Sequence, residues 1–178
     1  MGLKRLASNP LIWYSNTVMF LAVHAAVGAI TGNVAPDPVS AFSIGFLSHF
    51  LVDMIPHGDE HMYEGYKNGA RVRRAILYVT VDALATMVLV ALLFIDQDFF
   101  STRNGALGII GGLLPDLLVG IYEMFEPKIL REFHRFHVRN HHFLIKRLRK
   151  LERDIPMRYG LLLQGVVLTL LIKTVLRV

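Results

Sequence analysis

Five stretches of this chain, residues 11–31, 39–56, 75–95, 105–122 and 159–176, run for about 18 to 21 positions with almost no charge, the length that a hydrocarbon core of about 30 Å demands of an α-helix. So many apolar runs in 178 residues leave little polar sequence to cover them. With 53% hydrophobic residues, 19% charged and a mean hydropathy of +0.45, the chain is more apolar than an ordinary globular domain. The expectation is an all-α fold: a polytopic membrane bundle of about five transmembrane helices plus a cytoplasmic amphipathic helix, all in a single membrane domain over 1–178. The second and fourth runs are short and contain glycine, so a soluble bundle with long buried helices is the alternative. The first run is too long for a signal peptide and lacks a small-residue cleavage pattern, despite Lys4 and Arg5 ahead of it.

The basic residues set an orientation. With a cytoplasmic N-terminus, sixteen of the nineteen Lys and Arg fall inside: Lys4 and Arg5, then Lys67, Arg71, Arg73 and Arg74, then ten between Lys128 and Arg158. Outside remain Arg103, Lys173 and Arg177, beside the acidic or neutral loops NVAPDP and DQDFF. This is the positive-inside pattern of a multi-pass protein of the cytoplasmic (inner) membrane with its C-terminus outside. The formal charge of +5 then serves an anionic membrane surface, and no nucleic acid is expected. Segment 126–157 fits that surface. Glu126 before Pro127 reads as a helix start, and Ile129, Leu130, Phe133, Phe136, Phe143, Leu144 and Leu148 interleave with basic groups. It is expected to lie on the inner leaflet with Arg135, Arg139, Lys146, Arg147, Arg149 and Lys150 toward lipid headgroups.

There is no cysteine, so any metal must be held by His, Asp or Glu, which points to zinc or a harder divalent ion. Ionisable groups inside apolar runs are costly, about 2.5 to 3.5 kcal/mol for an Asp at a helix centre, and mark where chemistry is to be sought. Asp53, Asp82 and Asp116 all fall in the expected inner half of the bilayer, His49 lies one turn before Asp53 on the same helical face, and His24 lies near the middle of the first run. His57, Asp59 and His61 follow the second run, and His134, His137 and His141 recur at i, i+3 and i+7 on one face of the amphipathic segment, with His142 off it. Imidazoles and carboxylates converging at one level suit a divalent ion with an open position for water. The candidate ligands are His24, His49, Asp53, His57, Asp116, His134, His137 and His141, with Asp59 as a general base.

Each has a plainer alternative. His24 can hydrogen-bond a neighbouring helix, Asp82 can clamp two helices, Asp116 can serve a kink at Pro115, and the histidines at 134–142 can sit among headgroup phosphates beside Arg135 and Arg139. A weak internal repeat favours the metal: GFLSHFLVD, ending at Asp53, lies over GIIGGLLPD, ending at Asp116, with glycine and aspartate at the same eight-residue spacing. Each half is then a helical hairpin whose second helix ends in an acid.

The run GFLSHFLVDMIPHGD resembles the SH-x-x-x-D motif of the membrane-bound metal-dependent hydrolases, the YdjM-like group described as LexA-binding and inner-membrane-associated. LLPD at 113–116 and FHRFHVRNHH resemble that group's LPD-x-D-H and H-R-x-x-x-H elements, and His24 resembles its N-terminal histidine. The group's second acid and histidine are absent here, since Asp116 is followed by Leu117 and Leu118, and the order of the elements is reversed. The resemblance implies His49, Asp53 and Asp116 as ligands and a hydrolase activity; an interfacial site implies a lipid or lipid-linked ester, with Arg135 and Arg139 stabilising charge on the leaving group. A non-catalytic metal-binding or lipid-surface membrane protein is the alternative. A transport file is not, because the outer halves of the runs are almost purely apolar.

Overall fold

The computed structural model describes residues 20–57, 72–95, 101–147 and 157–176. Every regular element among them is helical: α1 (Leu21–Asn33), α2 (Pro38–Asp53), α3 (Val72–Ile95), α4 (Thr102–Phe125), a 3₁₀ turn at Lys128–Leu130, α5 (Arg131–Arg147) and α6 (Met157–Leu176). The all-α expectation holds. Asp59, His61, Arg149, Lys150 and the side chain of Lys146 lie outside the described residues.

The helix ends follow local chemistry. Asp37 caps α2 by accepting from the backbone N–H groups of Val39 and Ser40 at 2.9 and 3.0 Å, with Pro38 at the first helical position. Ser101 caps α4 through Asn104 N–H at 3.2 Å. α1 has no cap of its own and borrows one: the Leu21 N–H donates to Asp82 Oδ2 on α3 at 2.9 Å, and the Phe20 N–H to Gln164 Oε1 on α6 at 3.0 Å. Asp82 is thus a clamp between helices. Glu126 ends α4 in the left-handed region, φ 47°, and Pro127 follows, so the chain reverses there and α5 returns over the bundle. The expected helix start at Glu126 is therefore a helix end.

Among the described residues two helices, Ile76–Ile95 and Thr102–Phe125, are long and apolar enough to cross a membrane, where five runs were expected. The shorter apolar helices are Leu21–Asn33, Pro38–Asp53 and Arg158–Leu171. For the second run the reason is that an apolar run is not a helix: Met54 and Ile55 prolong it beyond Asp53, before Pro56, while residues 11–19 of the first run lie outside the described residues. At 13 and 16 residues, α1 and α2 span about 20 and 24 Å.

α1 is the centre of the bundle. Ala22, Ala25, Ala26 and Ala29 pack against Leu89 and Leu93 of α3 and Ile109 of α4 in one core cluster. Its other side meets α4 through glycine, and a Cβ added to Gly108 would lie 2.0 Å from the Gly28 carbonyl oxygen. α4 runs alongside α2 in the same direction. At one end Asn104 Nδ2 donates to the Ala35 carbonyl at 3.0 Å, in the α1–α2 connection; at the other, Asp116 reaches the end of α2.

Candidate metal centre

The tight α1–α2–α4 packing brings ligand atoms from these helices together with a face of α5. His49 and Asp53 sit at i and i+4 on α2, Asp116 follows the buried Pro115 in α4, and His137 comes down from α5. One ligand atom from each of these four buried residues lies within 4.8 Å of the others. Asp53 Oδ2 is 3.0 Å from His49 Nε2 and 3.1 Å from His137 Nε2, the two nitrogens are 3.0 Å apart, and Asp116 Oδ1 stands 3.6 and 3.4 Å from them.

These separations fit a metal. Bonds of about 2.0–2.1 Å to one ion hold neighbouring ligands about 3.0–3.4 Å apart in octahedral or tetrahedral geometry. All four carboxylate oxygens of Asp53 and Asp116 are buried without a hydrogen bond: the imidazoles come to hydrogen-bond distance, but not with hydrogen-bond angles. Atoms that face a common point, and not one another, behave in this way. Two imidazoles and two carboxylates form a nitrogen and oxygen donor set suited to zinc or a harder divalent ion.

The surroundings orient the ligands. His49 Nδ1 donates to the Gly112 carbonyl at 2.8 Å, which leaves Nε2 as the ligand atom. Pro115 loosens that same turn of α4, since it lacks the N–H that the Gly111 carbonyl would otherwise receive. α5 is docked by Asn140 Nδ2, which donates to the Phe50 carbonyl at 2.7 Å, one of the last four carbonyls of α2. Phe133 and Phe136 pack on Phe50, with ring centroids 6.2 and 5.1 Å away. Burial lowers the His137 imidazole, but the Asp116 and Asp53 carboxylates overcome it and push the pKa up to about 9. A cation is therefore in demand at this point.

The remaining candidates take different places. His24, three residues into α1 and not at the middle of a long span, puts Nε2 3.1 Å from Asp53 Oδ1. His141 puts Nε2 3.0 Å from Asp53 Oδ2. His57 lies beside His141, ring centroids 5.0 Å apart, with Nδ1 on the Ile55 carbonyl. His134 shares the buried face of His137 and His141 but turns to Glu123, 2.8 Å away, and stacks on Tyr122. Arg135, paired with Glu132, lies with Arg139 and Arg147 on the exposed side of α5, away from the three buried histidines. Sequence reasoning missed Glu123, Asn140, Gln164 and the Gly112 carbonyl. Glu123 had a signal, two helical turns after Asp116. The others are polar partners without a motif. Compared with protein-family models, with curated proteins and with solved structures, the chain matches none.

Proposed function

We propose that this chain is a membrane-bound metal-dependent hydrolase whose divalent ion, zinc or a harder one, is held by His49, Asp53, Asp116 and His137 near the cytoplasmic interface. The observation that carries the reading is the convergence of four buried ligand atoms from three helices, with the carboxylate oxygens left without hydrogen bonds. When bound, such an ion would polarise an ester and lower the pKa of a bound water toward neutrality. The chain's own part is positional. Gly112 fixes the His49 tautomer, Asn140 holds α5 and its histidine in place, and the buried shell excludes bulk water. Asp59, six residues after Asp53, is the proposed general base.

Membrane residence is supported by the two long apolar helices and by large apolar side chains left open on α3, among them Leu84, Met87, Val88 and Leu92. The basic loops favour a cytoplasmic site and a lipid or lipid-linked ester as substrate. Arg135, Arg139 and Arg147 then meet headgroup phosphates from the outer side of α5, not a leaving group at the ion. A second reading, a closed structural metal site, is favoured by the burial of the cluster, since Asp53 is 0% and Asp116 8% exposed. Elemental analysis of detergent-purified protein is expected to find stoichiometric metal that His49→Ala removes. Hydrolysis of chromogenic phosphate or carboxylate esters, lost on chelation, separates the enzyme from the structural site. Metal-free wild-type protein after purification in zinc- and manganese-supplemented buffer would defeat both readings.

A further inference from the structure

The two carboxylates of the centre each use one oxygen toward the four-residue cluster and keep the other. Asp53 Oδ2 and Asp116 Oδ1 face His49 and His137. The opposite oxygens, Asp53 Oδ1 and Asp116 Oδ2, face a different imidazole: His24 Nε2, at 3.1 and 3.9 Å. None of these contacts shares an oxygen between His24 and the His49–His137 pair.

The rings tell the same story. His24 and His49 stack with centroids 4.0 Å apart and planes at 26°, so each presents its Nε2 to a different oxygen of the same two acids. Two imidazolium cations would repel in such a stack, whereas neutral rings, the form that ligates metal, stack readily. In two-metal sites the ions lie about 3.5–4 Å apart, and rings stacked with centroids 4.0 Å apart can each serve one ion of such a pair. His24 is 1% exposed, and neither of its ring nitrogens makes a hydrogen bond, a costly condition for an imidazole without another use.

We propose that the centre is dinuclear: Asp53 and Asp116 bridge two divalent cations, His49 and His137 completing the first site and His24 the second. This rests on the metal-centre reading above and extends it. His141, on Asp53 Oδ2, borders the first site. With one nitrogen and two carboxylates the second site is the more oxygen-rich, and so favours a hard ion of the manganese or magnesium type. A pair of ions in such a site would clamp both the attacking and the leaving oxygen of an in-line displacement, which suits phosphate esters.

The test uses full-length protein in detergent, stripped with chelator and titrated with Mn²⁺, read by elemental stoichiometry after dialysis and by low-temperature electron paramagnetic resonance. The wild type is expected to bind two ions per chain and to give an exchange-coupled spectrum. His24→Ala is expected to bind one ion, with the hyperfine pattern of an isolated Mn²⁺. One uncoupled ion in the wild type overturns the dinuclear centre and leaves the mononuclear reading standing, while no bound ion overturns both. Two coupled ions retained in His24→Ala overturn the role given to His24. Should that variant fail to fold, the wild-type stoichiometry and coupling decide the proposal, and His24→Gln repeats the removal of the nitrogen with a side chain closer in size.

Discussion

Gly45 and Gly108 meet where α2 crosses α4: a Cβ on Gly45 would lie 2.2 Å from the Gly108 carbonyl oxygen, and eight residues farther along each helix stand Asp53 and Asp116. Two helices that touch at their glycines and run in the same direction carry their acids to the same level, about 12 Å on. The spacing of the repeat is the spacing of the site.

Gly108→Ala is therefore expected to do damage at both ends of that lever. The new methyl would meet the Gly28 carbonyl at 2.0 Å, backbone that cannot give way without separating α1 from α4. Overpacking of this kind costs about 1–3 kcal/mol or more, and thermal unfolding in detergent should show it together with weakened metal binding. Gly120→Ala is the control, because nothing lies within 4 Å of its added Cβ. It should be neutral or stabilising by up to about 1 kcal/mol. Equal tolerance of both alanines would contradict the close crossing.

Asp53→Ala and Asp116→Ala are each expected to abolish stoichiometric metal binding, measured by elemental analysis after dialysis. Each removes one of the two carboxylates that the histidines surround. Full metal content with unchanged affinity in Asp116→Ala would leave only α1, α2 and α5 as the source of ligands, and the α2–α4 centre would be wrong.

Asp82 is assigned to structure. It supplies the N-terminal cap that α1 lacks, so Asp82→Ala should lower stability by about 1 kcal/mol while leaving metal content intact. Asp82→Asn keeps an acceptor oxygen and should lose less. A drop in metal stoichiometry in either variant, in protein that remains folded, would place Asp82 within the centre after all.

Asn140→Ala tests the docking of α5. The Phe50 carbonyl would lose its 2.7 Å partner, at a cost of about 1–3 kcal/mol for a poorly solvated acceptor. Since α5 also brings His137, metal should be lost to chelator faster than from the wild type, with the initial stoichiometry little changed. Release at the wild-type rate would mean that the helix is held by its aromatic contacts alone.

Much of the site could be read from spacing. The i, i+4 pair His49–Asp53 and the eight-residue repeat leading to Asp116 both depend only on helical periodicity, which survives small errors in the helix ends. The buried face of His134, His137 and His141 was legible for the same reason. What failed depended on ends and on partners. His24 was expected deep in a span, yet α1 is described from Leu21, capped by side chains from α3 and α6 that no local pattern announces. His134 looked like its two neighbours on the face, but Glu123 claims it, and the fourth apolar run was read only as far as Tyr122, one residue short of that acid. Among the described residues two helices are long enough to span where five runs were read, because hydropathy alone cannot tell an apolar turn from an apolar helix turn.

The last residue of α2 is a carboxylate. A helix gathers partial negative charge at its C-terminus and usually answers it with a lysine or an arginine; α2 adds Asp53 there instead, and α4 brings Asp116 alongside. The fold thus concentrates like charge at the point where its central helices are joined, and the cation proposed for this site would do the joining. Metal supply and helix packing are then linked by mass action: stability should rise with the logarithm of free metal above the dissociation constant, so that chelation loosens α2 from α4 as well as silencing any chemistry between them.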